Sequence, residues 1–432
     1  MTAPGLRPLV RVLEQRGFAL ADWGARATDD TVGWRRRDDD GARAGHQQVE
    51  GYRAIVHRDV PAGRGSATID VDGSPGVPLA ELVGDAALRA LATIGPAWTS
   101  PPPAAPARVA IADPAIADVD DVAARLERAL ADAAGAAGAA LRAAEVEVVR
   151  RTVTLATRGG LDASWPETEL VVRADVERGD RRITIRRRAR RLDDLDLEAA
   201  IAAAVASDAR VAAAAPTPTG RIAVAIDAAA LLHGGLGLLA AFVGQADPAL
   251  ERQGLLAARI GQPIVAGAAT AAEPLTLVSD GTLAYGLAST PVAGLGDPVR
   301  RFALIEHGLM RGLALDAREA ALRRAQANGG VRGLTVPAGA TGADALLGGA
   351  GLLIEALHWL ELEPMTGGFR ARIALGRLVD GRGGARDVQG GLIRGDALAA
   401  LALSRRSREL VRTPSYHGPR RWTLGELDVA SR

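Results

Sequence analysis

The stretches EVEVVRRTVTL (residues 145–155) and ELVVRADV (residues 169–176) decide the fold class of this chain. Apolar and polar residues alternate in both, which is typical of antiparallel strands with one buried face. Arg158-Gly159-Gly160 between them is a turn signal. An Ala/Leu-rich helix is predicted before the strands, from Asp118 to Ala133 with Asp118 or Asp120 as its cap, and another after them, from Leu192 to Val205. This order of elements predicts an α+β fold with an antiparallel sheet.

Two proline-rich breaks, Trp98 to Pro106 and Ala212 to Gly220, predict the domain organisation. They divide the chain into an N-terminal α+β segment (residues 1–100), a middle α+β segment (101–216) and a C-terminal β-rich domain (217–432). The first two segments are expected to pack together. The other elements predicted for them are a helix from Leu6 to Arg16, strands within Glu50 to Asp72, and a strand from Arg108 to Ala112.

The C-terminal segment is rich in glycine and in short strand patterns. One buried apolar helix is predicted near Ala228 to Phe242, among many strands separated by glycine turns. This pattern predicts a β-barrel or sandwich-like domain with one buried helix. Its predicted strands are Leu275–Ser279, Phe302–Glu306, Gly351–Glu363 and Gly368–Leu378.

The composition of the chain excludes several classes of chemistry. Its 432 residues suggest two or three domains, and 52 basic against 51 acidic residues give a net charge of +1. The sequence contains no cysteine, which excludes disulfides, Cys-ligated zinc and iron–sulfur clusters. Every basic residue is arginine, so a P-loop lysine and a Schiff-base lysine are excluded as well.

Charge patterning argues against nucleic-acid and membrane partners. The arginine-rich run from Arg181 to Arg191 has no interleaved aromatic residues. We interpret it as a solvated strand face whose charge is neutralised by the acidic residues just downstream, and not as a phosphate-binding patch. Charged side chains in the first twenty residues argue against a secretory signal, and the apolar stretch Ile222 to Val243 is expected to be buried. The protein is therefore expected in the cytoplasm. The downstream acidic residues are Asp193, Asp194, Asp196 and Glu198.

Two Glu/His pairs resemble metal-ligand spacings but are not expected to bind metal. Glu355 and His358 have the E-x-x-H spacing that brings ligands together only on a helix, whereas the flanking pattern predicts a strand. In a strand the two side chains would point to opposite sides. Glu306 and His307 have the same problem, and Gly308 after them indicates a turn.

Most of the chain from Arg108 onward resembles the TldD/PmbA (TldE) family of peptidase-related proteins, once described as gyrase modulators. The order and spacing of the shared segments carry this resemblance, while the first hundred residues fit only loosely. The segments are Thr154–Gly160, Pro274–Gly281, Phe302–Arg311, Ala325–Gly330 and Met365–Gly376.

The resemblance implies a degenerate zinc site. In the TldD branch, an H-E-x-x-x-H helix and a later cysteine bind zinc, and the glutamate is the general base. The corresponding stretch here is His233-Gly234-Gly235-Leu236-Gly237-Leu238. Gly234 replaces the glutamate and Leu238 the second histidine, so we expect no catalytic, metal-binding or cofactor-binding residue in this chain.

The resemblance further implies a non-catalytic TldE-like subunit whose partner is a zinc-bearing TldD-like chain. Such a heterodimer would act on small or unfolded peptides or on leader peptides, with zinc on the partner alone. One alternative is a stand-alone peptide-binding or scaffold protein of the same fold. Another is an active hydrolase that uses other groups, such as His233 with a distant carboxylate.

Overall fold

The computed structural model describes residues 6–72, 76–294 and 296–431. Its α-helices are α1 (Arg7–Leu13), α2 (Leu79–Ala92), α3 (Val119–Ala136), α4 (Leu197–Ala213), α5 (Ala228–Leu231), α6 (Ala240–Gly244), α7 (Pro248–Arg252), α8 (Ala317–Arg323) and α9 (Ala397–Ala402). Its strands are β1 (Asp22–Asp38), β2 (Gly41–Val60), β3 (Gly63–Asp72), β4 (Ala140–Thr157), β5 (Asp162–Arg178), β6 (Arg181–Ala189), β7 (Ala215–Pro216), β8 (Gly220–Asp227), β9 (Leu277–Asp280), β10 (Val292–Ala293), β11 (Asp297–Pro298), β12 (Arg301–Glu306), β13 (Leu309–Met310), β14 (Gly333–Thr335), β15 (Ala350–Leu362), β16 (Gly368–Asp380), β17 (Ala385–Gln389), β18 (Leu392–Asp396), β19 (Leu410–Thr413), β20 (Tyr416–Pro419) and β21 (Arg421–Ala430). The predicted α+β class is confirmed.

The chain forms two compact units that do not follow sequence order. Unit 1 comprises residues 1–202, 281–300 and 315–330, as far as they are described. Unit 2 comprises residues 203–280, 301–314 and 331–432 within the same limits. The predicted three-part division at residues 100 and 216 stays a prediction.

Unit 1 is built on one six-stranded sheet in the order β3-β2-β1-β4-β5-β6. Every neighbouring pair is antiparallel, so the sheet predicted from residues 145–155 and 169–176 is confirmed. One face carries small and branched apolar side chains that pack against α1 and α2. The predicted helix after Asp118 is also confirmed, because the Asp118 carboxylate accepts from the backbone N–H groups of Asp120 and Asp121 at 2.9 and 3.0 Å.

The predicted strand from Arg108 to Ala112 is wrong, because residues 108–112 form no strand. The segment and its neighbour Ala107 make backbone hydrogen bonds to two separate parts of unit 1, the 281–300 insertion and β5, and form no ladder with either. The amide of Ala107 donates to Pro291 O, that of Tyr285 to Ala110 O, and that of Thr168 to Ile111 O. Ile111 then packs with the sheet residues Val153, Leu155 and Trp165.

A buried arginine ties the 281–300 insertion into unit 1. The side chain of Arg190, 9% exposed, forms an ion pair with Glu167 at 3.4 Å. It also donates to the carbonyl oxygens of Gly286, Leu287 and Ser289, at 3.1 to 3.3 Å, and to that of Ile111. One guanidinium thus satisfies acceptors from three separate stretches of chain.

Unit 2 contains a closed barrel, as the glycine-rich strand pattern predicted. Its larger sheet has the order β15-β8-β21-β18-β16-β17-β7, and an additional pairing of β15 with β16 closes five of these strands into a ring. A second sheet has the order β13-β12-β9-β14-β20-β19. The strands predicted near residues 351–363 and 368–378 are β15 and β16. No helix in the described part of the chain is both long enough and apolar enough to cross a membrane.

We predict that Arg190→Met destabilises unit 1 by about 3 kcal/mol or more, because it leaves the buried carboxylate of Glu167 without its cation. Urea unfolding followed by circular dichroism measures the loss. Arg142→Met is the matched control, because Arg142 pairs with Glu177 at the surface of the same sheet. Equal unfolding midpoints for the two variants would contradict the role assigned to Arg190.

His57 gives unit 1 a measurable pH dependence. Burial lowers the pKa of this histidine, which lies edge-on to the Trp98 ring at 5.2 Å and has Nδ1 2.7 Å from Ser66 Oγ. Since the folded-state pKa lies below the unfolded value of about 6.5, the contribution is complete above pH 6.5 and declines as pH falls below it. We expect His57→Gln to flatten the stability profile between pH 5 and 7 in urea unfolding, and His358→Gln, at an exposed position, to leave the slope unchanged.

Candidate functional site

The segment that corresponds to the family's zinc helix is not a continuous helix. Helix α5 ends at Leu231, residues 232–236 form turns, a 3-10 turn covers Gly237–Leu239, and α6 begins at Ala240. The predicted buried helix from Ala228 to Phe242 is therefore wrong in its continuity, although both of its ends are helical and largely buried.

Three glycines cause the break. Gly234, Gly235 and Gly237 have φ angles of +72°, +121° and +50°, which L-residues with a side chain rarely adopt. At Gly237 a Cβ would lie 1.8 Å from the carbonyl oxygen of Leu231, so this position has no room for a side chain. No described atom lies within 4 Å of the Cβ positions of Gly234 and Gly235. The close backbone approach therefore occurs at Gly237.

The side chains of this turn do not fit a zinc ion. Zinc in peptidases needs three protein ligands with an open fourth position. His233 is half-buried, Gly234 has no side chain to offer, and Leu238 is a buried apolar residue at 1% exposure. Within residues 6–72, 76–294 and 296–431, no group of three or more His, Asp or Glu side chains is arranged to hold a metal ion.

The Glu/His pairs have other roles in unit 2. Glu355 lies in strand β15, and its carboxylate accepts from Arg210 at 2.5 and 3.1 Å, while His358 is exposed. Arg210 also donates to Asp387, and this hydrogen bond holds the pKa of the Asp387 carboxyl below its usual range. His307 has a left-handed φ of +51° at the predicted turn between β12 and β13.

The arginine run is a strand face with ion pairs, but most of its partners differ from the predicted ones. Arg191 pairs with the downstream Asp194 at 2.8 Å, as expected. Three other arginines of the run pair with carboxylates of the neighbouring strand β5. These pairs are Arg182 with Asp175, Arg188 with Glu169, and Arg190 with Glu167. The register between β5 and β6 brings these carboxylates close to the arginines, and the arginine run alone does not reveal that register.

Sequence analysis missed a second set of arginines in unit 1. Arg26 on β1 lies directly opposite Arg53 on β2, and Arg151 on β4 lies opposite Asp30 on β1. All lie on the sheet face that points away from α1 and α2. We call Arg26, Arg53 and Arg151 the arginine cluster. The alternating polar residues of β1 could have indicated a polar sheet face, but only the register of β1 with β2 and β4 shows which arginines lie next to each other.

Residues 220–426 match the sequence model of the PmbA/TldA metallopeptidase C-terminal domain. This match covers the barrel and the turn at His233. Residues 220–426 therefore form a C-terminal domain of the TldD/PmbA type. No curated protein matches the sequence.

Solved structures show that the TldD/PmbA-like fold extends over the whole chain. TldE from Thermococcus kodakarensis superposes with a TM-score of 0.77 at 18% identity, covering 99% of this chain and 100% of that one. A protein from Bacteroides thetaiotaomicron described as a proposed modulator of DNA gyrase gives a TM-score of 0.76 at 14% identity, covering 100% of both chains. A Thermotoga maritima protein of the same description gives 0.74 at 14% identity, covering 98% of each.

Two alanine variants test the cause of the broken helix. Gly237→Ala should lower the free energy of unfolding by more than about 2 kcal/mol, because its Cβ meets a backbone carbonyl that cannot move freely. Gly234→Ala has open space and should lose only about 1 kcal/mol through its positive φ. Urea unfolding of both variants measures the difference, and equal losses would show that Leu231 does not constrain position 237.

Proposed function

We propose that this chain is the non-catalytic, TldE-like subunit of a cytoplasmic metallopeptidase whose zinc is bound by a TldD-like partner. The assembly would act on small or unfolded peptides or on leader peptides. In this proposal the chain contributes shape and binding contacts, while the partner contributes the metal and the general base.

The observation that carries the proposal is the glycine turn after His233. A zinc-activated water needs ligands to hold the metal and a carboxylate to take the proton. Gly234 and Leu238 supply neither, because glycine has no side chain and leucine has only an aliphatic one. A lone imidazole at His233 is a weak zinc site.

The likeness to TldE supports the fold that the proposal requires. It extends over essentially the full length of both chains, so the first hundred residues, which resembled the family only loosely in sequence, adopt the same kind of fold. At 18% identity this likeness concerns the fold alone. The assignment to the non-catalytic branch therefore depends on the residues at positions 233–238.

We predict that the chain, purified gently from its own host, is found by native mass spectrometry in a complex with a second chain of similar size that carries one zinc. The isolated 44.5 kDa subunit should carry none.

His233→Ala should leave the peptidase activity of the complex unchanged, as should His358→Ala on the exposed part of β15. Activity on an unfolded test peptide should require both chains.

Two results would overturn the proposal. A metal-free homo-oligomer with no second chain would favour a stand-alone peptide-binding or scaffold protein. Zinc on the isolated chain, lost in the His233→Ala variant, would mean that the turn forms a metal site after all.

A further inference from the structure

The arginine cluster lies on a continuous stretch of unbroken strand register in unit 1. Arg26 is directly opposite Arg53, which is opposite Asp70 on β3. Four residues further along β1, Asp30 is opposite Arg151, which is opposite Glu167 on β5. Because directly opposed residues and residues four apart in a strand share a face, these side chains occupy one surface of the sheet.

Arg53, Arg151 and the neighbouring Arg190 each have a carboxylate partner on this surface. Arg53 pairs with Asp70 at 2.5 Å, and Arg151 binds both oxygens of Asp30 at 2.7 and 2.5 Å. The third carboxylate, that of Glu167, is held by Arg190.

Arg26 differs from these three arginines in having no carboxylate partner. It forms no ion pair or side-chain hydrogen bond with any residue in the described part of the chain.

Arg26 is held where an unmatched cation is costly. Its side chain is half-buried, and its Nε is shielded from solvent without an acceptor among the described residues. Burial lowers the pKa of Arg26; the Glu167 and Asp30 charges oppose this shift, and the Arg151 and Arg53 charges add to it. Like charges directly opposite each other in a sheet destabilise the pairing, so the sheet gains nothing from this arrangement by itself.

We propose that the arginine cluster is a binding site for a single carboxylate group of a peptide, with Arg26 as the principal contact. The planar guanidinium fork matches a carboxylate in a two-point contact, and the bond is strengthened by charge on both partners. The site would fix one end or one acidic side chain of a bound peptide. This inference deepens the proposed function and rests on it, because the ligand is taken to be a peptide.

The single unpaired guanidinium of Arg26 selects the ligand class. One unmatched positive charge is neutralised by one carboxylate, whereas a phosphate dianion would leave a negative excess on a half-buried surface. The site is open to solvent at Arg53, whose side chain is 61% exposed, so a ligand can reach it without unfolding of the sheet. A C-terminal carboxylate and a Glu or Asp side chain offer the same chemistry.

The test measures binding to the full isolated chain by isothermal titration calorimetry. The probes are penta-alanine with a free C-terminal carboxylate, the same peptide as its C-terminal amide, an acetylated and amidated peptide with one central glutamate, and inorganic phosphate. We expect at least one carboxylate peptide to bind about tenfold or more tightly than the amidated penta-alanine. Arg26→Gln should remove this difference, and the preferred peptide identifies which carboxylate the site takes.

Arg142→Gln on the same sheet is the control variant and should leave the difference intact. Equal binding of carboxylate and amide peptides, tightest binding of phosphate, or undiminished carboxylate binding by Arg26→Gln would each overturn the inference. Arg26→Leu provides a second measurement: it should fold with unchanged or higher stability in urea, because it removes an unmatched cation. Assembly with a zinc-bearing partner is read separately by native mass spectrometry, so failure of this site and failure of the proposed function are distinguishable.

Discussion

The left-handed backbone at Gly237 constrains what the C-terminal domain of this chain can do. Its φ of +50° and the Leu231 carbonyl oxygen in the place of a Cβ exclude every residue but glycine without a backbone shift. Helix α5 ends at Leu231, and residues 232–236 form turns. Gly234 and Leu238 offer neither a metal ligand nor a general base, so this stretch also lacks the groups that a zinc-activated water needs.

Arginine, the only basic residue type besides histidine in this sequence, links elements that are distant in the chain. Arg190 joins acceptors on three stretches of unit 1, and Arg210 holds Glu355 of β15 and Asp387 of β17 within unit 2. A guanidinium can do this because its five N–H groups lie in one plane and point in fixed directions. A lysine at either position would leave several of these acceptors without a donor. Arg190 and Arg210 thus use their charge in pairing with carboxylates of the same unit.

The sequence predicted those elements in which local pattern and tertiary structure agree. Alternation predicted β4 and β5, short strand patterns between glycine turns predicted β15 and β16, and a capping carboxylate at Asp118 predicted the start of α3. The apolar run at Ala228–Phe242 failed because periodicity does not reveal which glycines take a positive φ. The strand predicted at Arg108–Ala112 failed for a different reason: its backbone hydrogen-bond partners come from the 281–300 insertion and from β5, which no local pattern encodes. The partners of the arginine run and of Arg26 depend on strand register, and register is a property of paired strands.

Arg26 differs in its ion pairing from Arg151 and Arg190 of unit 1. Arg151 and Arg190 each recover the cost of leaving water through a carboxylate held at hydrogen-bond distance, whereas Arg26 has no carboxylate at that distance, lies opposite Arg53 and has no acceptor for its Nε. For stability alone, an apolar residue beside Leu155 would serve better at this position. A chain without zinc ligands can still contribute to peptide hydrolysis by holding a substrate in place, since binding and orientation lower the barrier that the metal centre must cross. A single unmatched guanidinium on an otherwise neutralised surface is suited to that task, because it gives one defined contact without attracting polyanions.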